Sequence, residues 1–393
     1  MVNPVPVALI RLCLPIFLIG SLSGQPLDLP APRMLAQGVQ FYQLESTALV
    51  SPPEPVSVRM IRLDPAVVDL RSVLANDEIV GTETVSAIAA RHKPLAAINA
   101  GFFQANGDPS GVLTVAGQLV SDTRRPRGAV GIRQDGNVLR LVVGHLRATA
   151  SLVISQARVP IDGIDTTRIR GRLMLFTPLY NEDTDTAGRG MEWVVTRSGS
   201  GTPPEYRIAS GPHREGRTKI PAGGFVLSFG GEKLPPELSA IKRGARLGLE
   251  VLYDPVDGDA AAWAGARDIV GGAGLLIKDG EPVADWSIET FTKGFAELRH
   301  PRTMIGSGAD GAIWLVTVDG RQPQRSVGMT LVELRDFARR LGLVNALNLD
   351  GGGSTTMWVE GRVVNSPSDA AGERQVSDAL IVAPRRQNGE RRQ

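Results

Sequence analysis

The chain predicts a mixed α/β (α+β) fold, with strand-rich mixed sheets, flanking helices and signs of an internal duplication. Three observations carry that expectation. Glycine (45) and proline (27) are plentiful while aromatic residues make up only 5% of the 393, a balance that suits many short strands joined by tight turns. Two segments couple a helix to a strand. Two pairs of hairpins echo each other along the chain.

Thr330-Leu-Val-Glu333 reads as a capping box, in which the Thr hydroxyl and the Glu carboxylate satisfy free amides of a first helical turn. Leu334, Phe337, Ala338 and Leu341 then share one face, Gly342 stops the helix, and Val344 to Leu349 follows as a buried strand ending at Asp350. Thr84 opens a shorter helix through Val85, Ile88 and Ala89. Pro94 closes it, and Leu95 to Ile98 runs as a strand into Asn99. Each couple delivers a polar residue into a glycine-containing turn.

Among the hairpins, residues 111–122 resemble 274–285, and 124–141 resemble 299–316. The second pair reads Arg-x-Pro-Arg, a strand, an Asp-Gly turn (Asp135-Gly136, Asp310-Gly311) and another strand. Asp-Gly between apolar runs is a strong hairpin signal. The later copy carries the longer loop, Trp286 to Leu298.

Around this unit, residues 1–23 read as a signal peptide. Arg11 ends a short N-terminal region, Leu12 to Gly20 is apolar and uncharged, and Ser21-Leu22-Ser23 supplies small residues for cleavage. That run is shorter than the roughly 20 apolar residues a bilayer span needs. The expected location is therefore exported, periplasmic or extracellular, with no stable membrane span after cleavage. Residues 24–54 are Pro-rich and read as a linker, 55–384 as one continuous domain, and 385–393 as a disordered basic tail. The single cysteine, Cys13, falls in the signal segment, so the mature chain has neither a disulfide framework nor a thiolate metal site. His92, His145, His213 and His300 are scattered, which excludes a His-x-x-x-His zinc motif. With 43 basic against 41 acidic residues, nothing points to nucleic acid.

The sharpest local signal is Asn348-Leu-Asp350-Gly351-Gly352-Gly353-Ser354. A strand places Asn348 and Asp350 on one face, and three glycines bare the main chain so that their amides can form an anion-binding concavity. No Lys follows, which excludes a Walker loop. Arg302 and Arg127, each closing an Arg-x-Pro-Arg segment, offer planar forks that match phosphate oxygens. His300 stands beside them as an acid, a phosphate donor or a capped loop residue. Glu373 and Arg374 lie in a polar run ahead of the final strand, as either functional loop residues or solvated neighbours.

Taken together, His300-Pro-Arg-Thr303, Asn348 to Ser354, Pro367-Ser-Asp369 and Glu373-Arg-Gln-Val-Ser377 resemble the signature of the phosphodiester glycosidase family. That family includes the lysosomal enzyme that uncovers mannose 6-phosphate. Ile98-Asn-Ala-Gly-Phe-Phe103 with Gly107 to Gly111 resembles its first motif, and Thr177-Pro-Leu-Tyr180 with Thr184 and Thr186 a middle one. The resemblance runs from about residue 95 to 383. It departs at Ala100, where relatives carry a second glycine, and at Gly128, which stands where the later hairpin has Thr303.

The resemblance implies an α/β fold and hydrolysis of glycosyl phosphodiesters. The expected catalytic residues are Asp350, Glu373 and Arg302. The expected substrate contacts are Asn99, Gly101, Arg127, His300, Thr303, Asn348, Gly351, Gly352, Gly353, Ser354 and Arg374. No cofactor is required in this reading, and the partner is a glycosyl phosphodiester or a phosphate-containing polysaccharide. Two rivals remain. One is a phosphodiesterase that cleaves P–O through a divalent cation held by Asp350, Asn348 and Asp319. The other is a non-catalytic binder of polysaccharide.

Overall fold

A computed structural model describes residues 25–385 apart from 155–156, 200 and 202. The expected signal peptide (1–23) and all but Arg385 of the expected basic tail lie outside the described residues. Strand accounts for 47% and helix for only 10%, with a nearly closed, barrel-like sheet. The expectation of an α/β fold is therefore corrected to a β-dominated one. The helix–strand couples are real, but they are small. Among the described residues the α-helices are Val85–His92, Ala260–Ala264 and Leu331–Arg340. Much of the additional strand content lies between Ala157–Pro160 and Arg246–Pro255.

The helices end where local chemistry dictates. Thr84 accepts a hydrogen bond from the Ala87 amide, and Thr330 and Glu333 form both arms of the capping box. Gly342, at φ +83°, takes the left-handed conformation that lets the chain turn back into the strand Leu343–Asn348.

An eight-stranded antiparallel sheet contains, as successive neighbours, Val56–Leu63, Ile313–Val318, Arg302–Gly308, Leu343–Asn348, Leu275–Lys278 and Glu281–Pro282. A twelve-stranded sheet contains Val138–Ile154, Thr123–Asp135, Ala266–Gly271, Leu113–Val115 and Gln118–Ser121 in the same relative order. In both sheets a hairpin is followed, later in the chain, by a helix and a strand that inserts beside it. Both inserted strands then run into glycines, Gly271-Gly272 and Gly351-Gly352-Gly353. The hairpin echo in the sequence thus has a counterpart in strand order.

A five-stranded sheet places Ala96–Asn99 between Met357–Val359 and Asp378–Pro384. The segment 24–54, expected as a linker, instead contributes Arg33–Ala36 and Val39–Ser46 to one edge of the eight-stranded sheet. Val39, Phe41 and Tyr42 are buried there, so the segment packs as part of the domain despite its proline-rich flanks. No helix of the described residues is long and apolar enough to cross a membrane.

Candidate active site

The strand Leu343–Asn348 and the strand Ala96–Asn99 end side by side, and a buried asparagine rivets them. Asn99 Nδ2 donates to the Asp350 carbonyl at 2.6 Å, and its Oδ1 accepts from the Thr303 hydroxyl at 2.8 Å and the Thr356 amide at 3.1 Å. The Asp350 amide donates to Ala100 O at 2.9 Å. Asn99 and Thr303, expected as substrate contacts, are thus occupied in fixing the Asp350 turn. Asn348 donates to Ala273 O and Leu349 O at 2.7 and 2.9 Å, while its buried Oδ1 has no partner.

The glycine turn is pressed against its surroundings. A Cβ on Gly351 would stand 2.6 Å from the Pro301 carbonyl, and one on Gly353 would collide with the Arg374 guanidinium. Gly352, at φ +60°, lies below Arg321, whose Nη2 would be 3.0 Å from an added Cβ. The expected cradle of free amides is only partly present. Gly351 N donates to Asp350 Oδ1 and Gly352 N to Pro301 O, each at 2.9 Å. What surrounds the turn instead is guanidinium: Arg321 on one side, and on the other Arg374, paired with both oxygens of Asp369 at 2.8 and 3.1 Å.

Two carboxyl groups approach this turn. Burial pushes Asp350 up to about 7; the Ser354 hydroxyl, the Gly351 amide and Arg374 pull the other way, while the charge of Asp378 adds to the rise. Asp378, 1% exposed, is pushed up by burial to about 6, against the Gly101 amide and the Ser377 hydroxyl. Its Oδ1 accepts from Gly101 N at 2.9 Å and the Ser377 hydroxyl at 3.1 Å, but its buried Oδ2 has no partner. A side chain at Gly101 would meet both Asp378 oxygens at 3.2 Å, so the glycine keeps that approach open.

Three expected roles are corrected by these contacts. Arg302 is 2% exposed and donates to the carbonyls of Met329, Phe295 and Leu298 at 2.8, 2.7 and 3.2 Å. It tethers the 286–298 loop and does not lie open as a phosphate clamp. Burial, then the like charge of Arg321, brings its pKa down to about 10. Glu373 accepts from the Ser86 amide at 3.0 Å, in the first turn of the helix Val85–His92, where a carboxylate favours the exposed amides and the helix dipole. It therefore acts as a helix cap. Arg127 does not face Arg302 across an anion, because Phe102 and Phe295 lie between them.

His300 remains at the site. Its Nδ1 is 3.4 Å from Arg321 Nη2, and burial, Arg302 and Arg321 together depress its pKa, which keeps it neutral at pH 7. The cation set Asp350, Asn348 and Asp319 is not brought together. The Asp319 oxygens are taken by Asn365 Nδ2 (3.1 Å), Ser366 N (2.9 Å) and the Ser57 hydroxyl (3.2 Å). Sequence reasoning missed Asp378 and Arg321. Asp378 directly follows the Glu373–Ser377 run, and Arg321 sits at φ +59° just after Asp319-Gly320, so both lay one step beyond motifs already noticed.

Comparison with known proteins supports the same region. The phosphodiester glycosidase family model matches residues 212–383, which carry His300, Arg321, Asp350, Arg374 and Asp378. N-acetylglucosamine-1-phosphodiester alpha-N-acetylglucosaminidase of Mus musculus is 33% identical over 142 residues, 34% of this chain and 27% of that enzyme. The chain matches under a third of the length of the first curated relatives, 19% and 27%. A hypothetical protein from Synechocystis has the same fold at a TM-score of 0.74 and 23% identity, covering 91% of this chain and 64% of that one. A Burkholderia pseudomallei protein, named as a candidate exported protein, superposes with a TM-score of 0.69 at 26% identity over 86% of this chain and 76% of that one. The family match falls on the later hairpin, the Asp350 turn and the final strands, the elements that converge on the two carboxyl groups. On these grounds residues 212–383 are similar to the phosphodiester glycosidase family.

Proposed function

We propose that the chain is an exported hydrolase that cleaves the sugar C1–O bond of a glycosyl phosphodiester during glycan or envelope-polymer processing. The carrying observation is the pair Asp350 and Asp378, two carboxyl groups raised toward neutrality beside a turn flanked by Arg321 and Arg374. Carboxyl pairs of this kind are the usual machinery of glycoside hydrolysis. At neutral pH Asp378 is ionised, and its unpartnered Oδ2 serves the anomeric carbon or the water that attacks it. Asp350 still holds its proton in part and delivers it to the departing oxygen. Arg321, His300 and Arg374 hold the phosphate, whose developing charge is best stabilised by donors fixed in advance. Phosphate leaves readily, so this electrostatic contribution outweighs acid assistance. Export is supported by the apolar N-terminal run and by the name of the Burkholderia relative.

Hydrolysis of α-linked sugar-1-phosphodiesters in ¹⁸O-labelled water tests the reading. Label in the sugar is expected, with turnover lowered about 10²-fold or more by Asp350→Asn. Label in the phosphate, or no hydrolysis across the series, would overturn it.

A further inference from the structure

Arg127 has no part in the reaction just proposed, yet its guanidinium is left with donors to spare. Among the described residues its side-chain hydrogen bonding is limited to Nη1 and the Ser110 carbonyl at 3.3 Å, and its Nε is buried without a partner. No described carboxylate pairs with it, whereas Arg124 nearby reaches Asp162 at 3.1 Å. Burial lowers its pKa and the charge of Glu289 offsets only part of that. The oxygens of Glu289 are themselves taken by His145 and the amides of Gly128, Gly274 and Leu275. A half-buried guanidinium with donors to spare favours a planar anion.

Its position relative to the carboxyl pair is fixed by an aromatic row. Arg127 lies 5.7 Å from the centroid of Phe102, Phe102 lies 6.0 Å from Phe295, and Phe295 lies 5.1 Å from Arg302. Phe102 directly follows Gly101, whose amide holds Asp378. The row thus leads from Arg302, two residues after His300, to Phe102, the residue after Gly101, and on to Arg127. Both rings are partly exposed, and such faces suit the apolar side of a saccharide ring.

We infer that Arg127 forms a second anion subsite on the sugar side of the scissile bond. The preferred substrate then carries a further acidic group, phosphate or carboxylate, on or next to the sugar being released. This rests on the glycosidase reading above and narrows it to glycans in which acidic groups recur along the chain.

The test compares kcat/KM for three α-linked sugar-1-phosphodiesters: one with a neutral sugar, one with an added sugar phosphate and one with a uronic acid. The wild-type chain should prefer an acidic sugar by about tenfold or more, as a charge-assisted hydrogen bond provides, and the two acidic substrates identify which group is read. Arg127→Met should collapse that preference to within about twofold, and Arg127→Lys should restore part of it. Equal handling of neutral and acidic sugars by the wild-type chain overturns the subsite alone. So does an Arg127→Met variant that loses activity on all three equally with the preference intact. No cleavage of any of them overturns the glycosidase reading as well.

Discussion

Asp378 should leave a pH signature in stability. Its pKa rises from the ordinary 3.8 to about 6 in the fold. At about 1.4 kcal/mol per pH unit, this places about 3 kcal/mol against the charged form. The folded chain holds this proton more tightly than the unfolded one, so stability falls as pH climbs from about 4 to about 6 and is flat above that. Asp378→Asn removes the titration. It also buries an amide where Oδ2 has no partner, at a fixed cost of about 1–3 kcal/mol. That cost is independent of pH, so it cancels when the gap between the two proteins is compared at different pH values. The variant should therefore gain about 3 kcal/mol on the wild-type chain between pH 4 and pH 7. For 393 residues this corresponds to a relative rise in Tm of about 4 °C. Thermal melts across that range, with turnover measured in parallel, give the result. A constant gap across pH, or full activity in the variant, would refute the assignment of Asp378 to a strained catalytic position.

The remaining expectations separate anchors from actors. Arg302→Ala should unpair the Met329, Phe295 and Leu298 carbonyls and cost about 3 kcal/mol in denaturant unfolding. Arg321→Ala, at an exposed position, should melt like the wild-type chain yet lose about 10²-fold in turnover; a swap of those two outcomes would restore Arg302 to the phosphate. Glu289→Gln should loosen the 286–298 loop, seen as faster amide exchange there. Burial raises the Glu289 pKa, but His145 and the amides of Leu275, Gly274 and Gly128 lower it by more. Its contribution is therefore present above its ordinary pKa of 4.5 and lost as pH falls below that, so wild type and variant should converge in acid.

What could be read from the sequence followed the reach of local signals. The Asp310-Gly311 turn, the Thr330–Glu333 box and the Asp350 glycine turn each depend on neighbours within a few residues, and all are visible in the string. Facing is different. Arg302 and Thr303 alternate along one strand, and nothing local says that the arginine looks toward Phe295 and the threonine toward Asn99. Glu373 is adjacent to Arg374 in sequence, yet one caps a helix 287 residues away and the other pairs with Asp369. The predominance of strand was missed because two conspicuous helix–strand couples stood for the whole, while the turn signals between 157 and 255, such as Asp162-Gly163, Pro203-Pro204 and Gly230-Gly231, do not say which strands they join. Asp378 carries no motif; its raised pKa arises from burial, which only the packed fold reveals.

The strand Ala96–Asn99 makes the C-terminal half dependent on the N-terminal one. Every ionisable group proposed to act in the reaction itself lies within 212–383, yet the ladder between Met357–Val359 and Asp378–Pro384 is completed by a strand encoded more than a hundred residues earlier. Severed from it, both strands would present bare edges to one another or to other chains, an invitation to misregister and aggregate. Nor would Asp378 keep the Gly101 amide that steadies it. The family-matching stretch is thus not a transplantable module, and activity should be inherited only together with the early keystone strand.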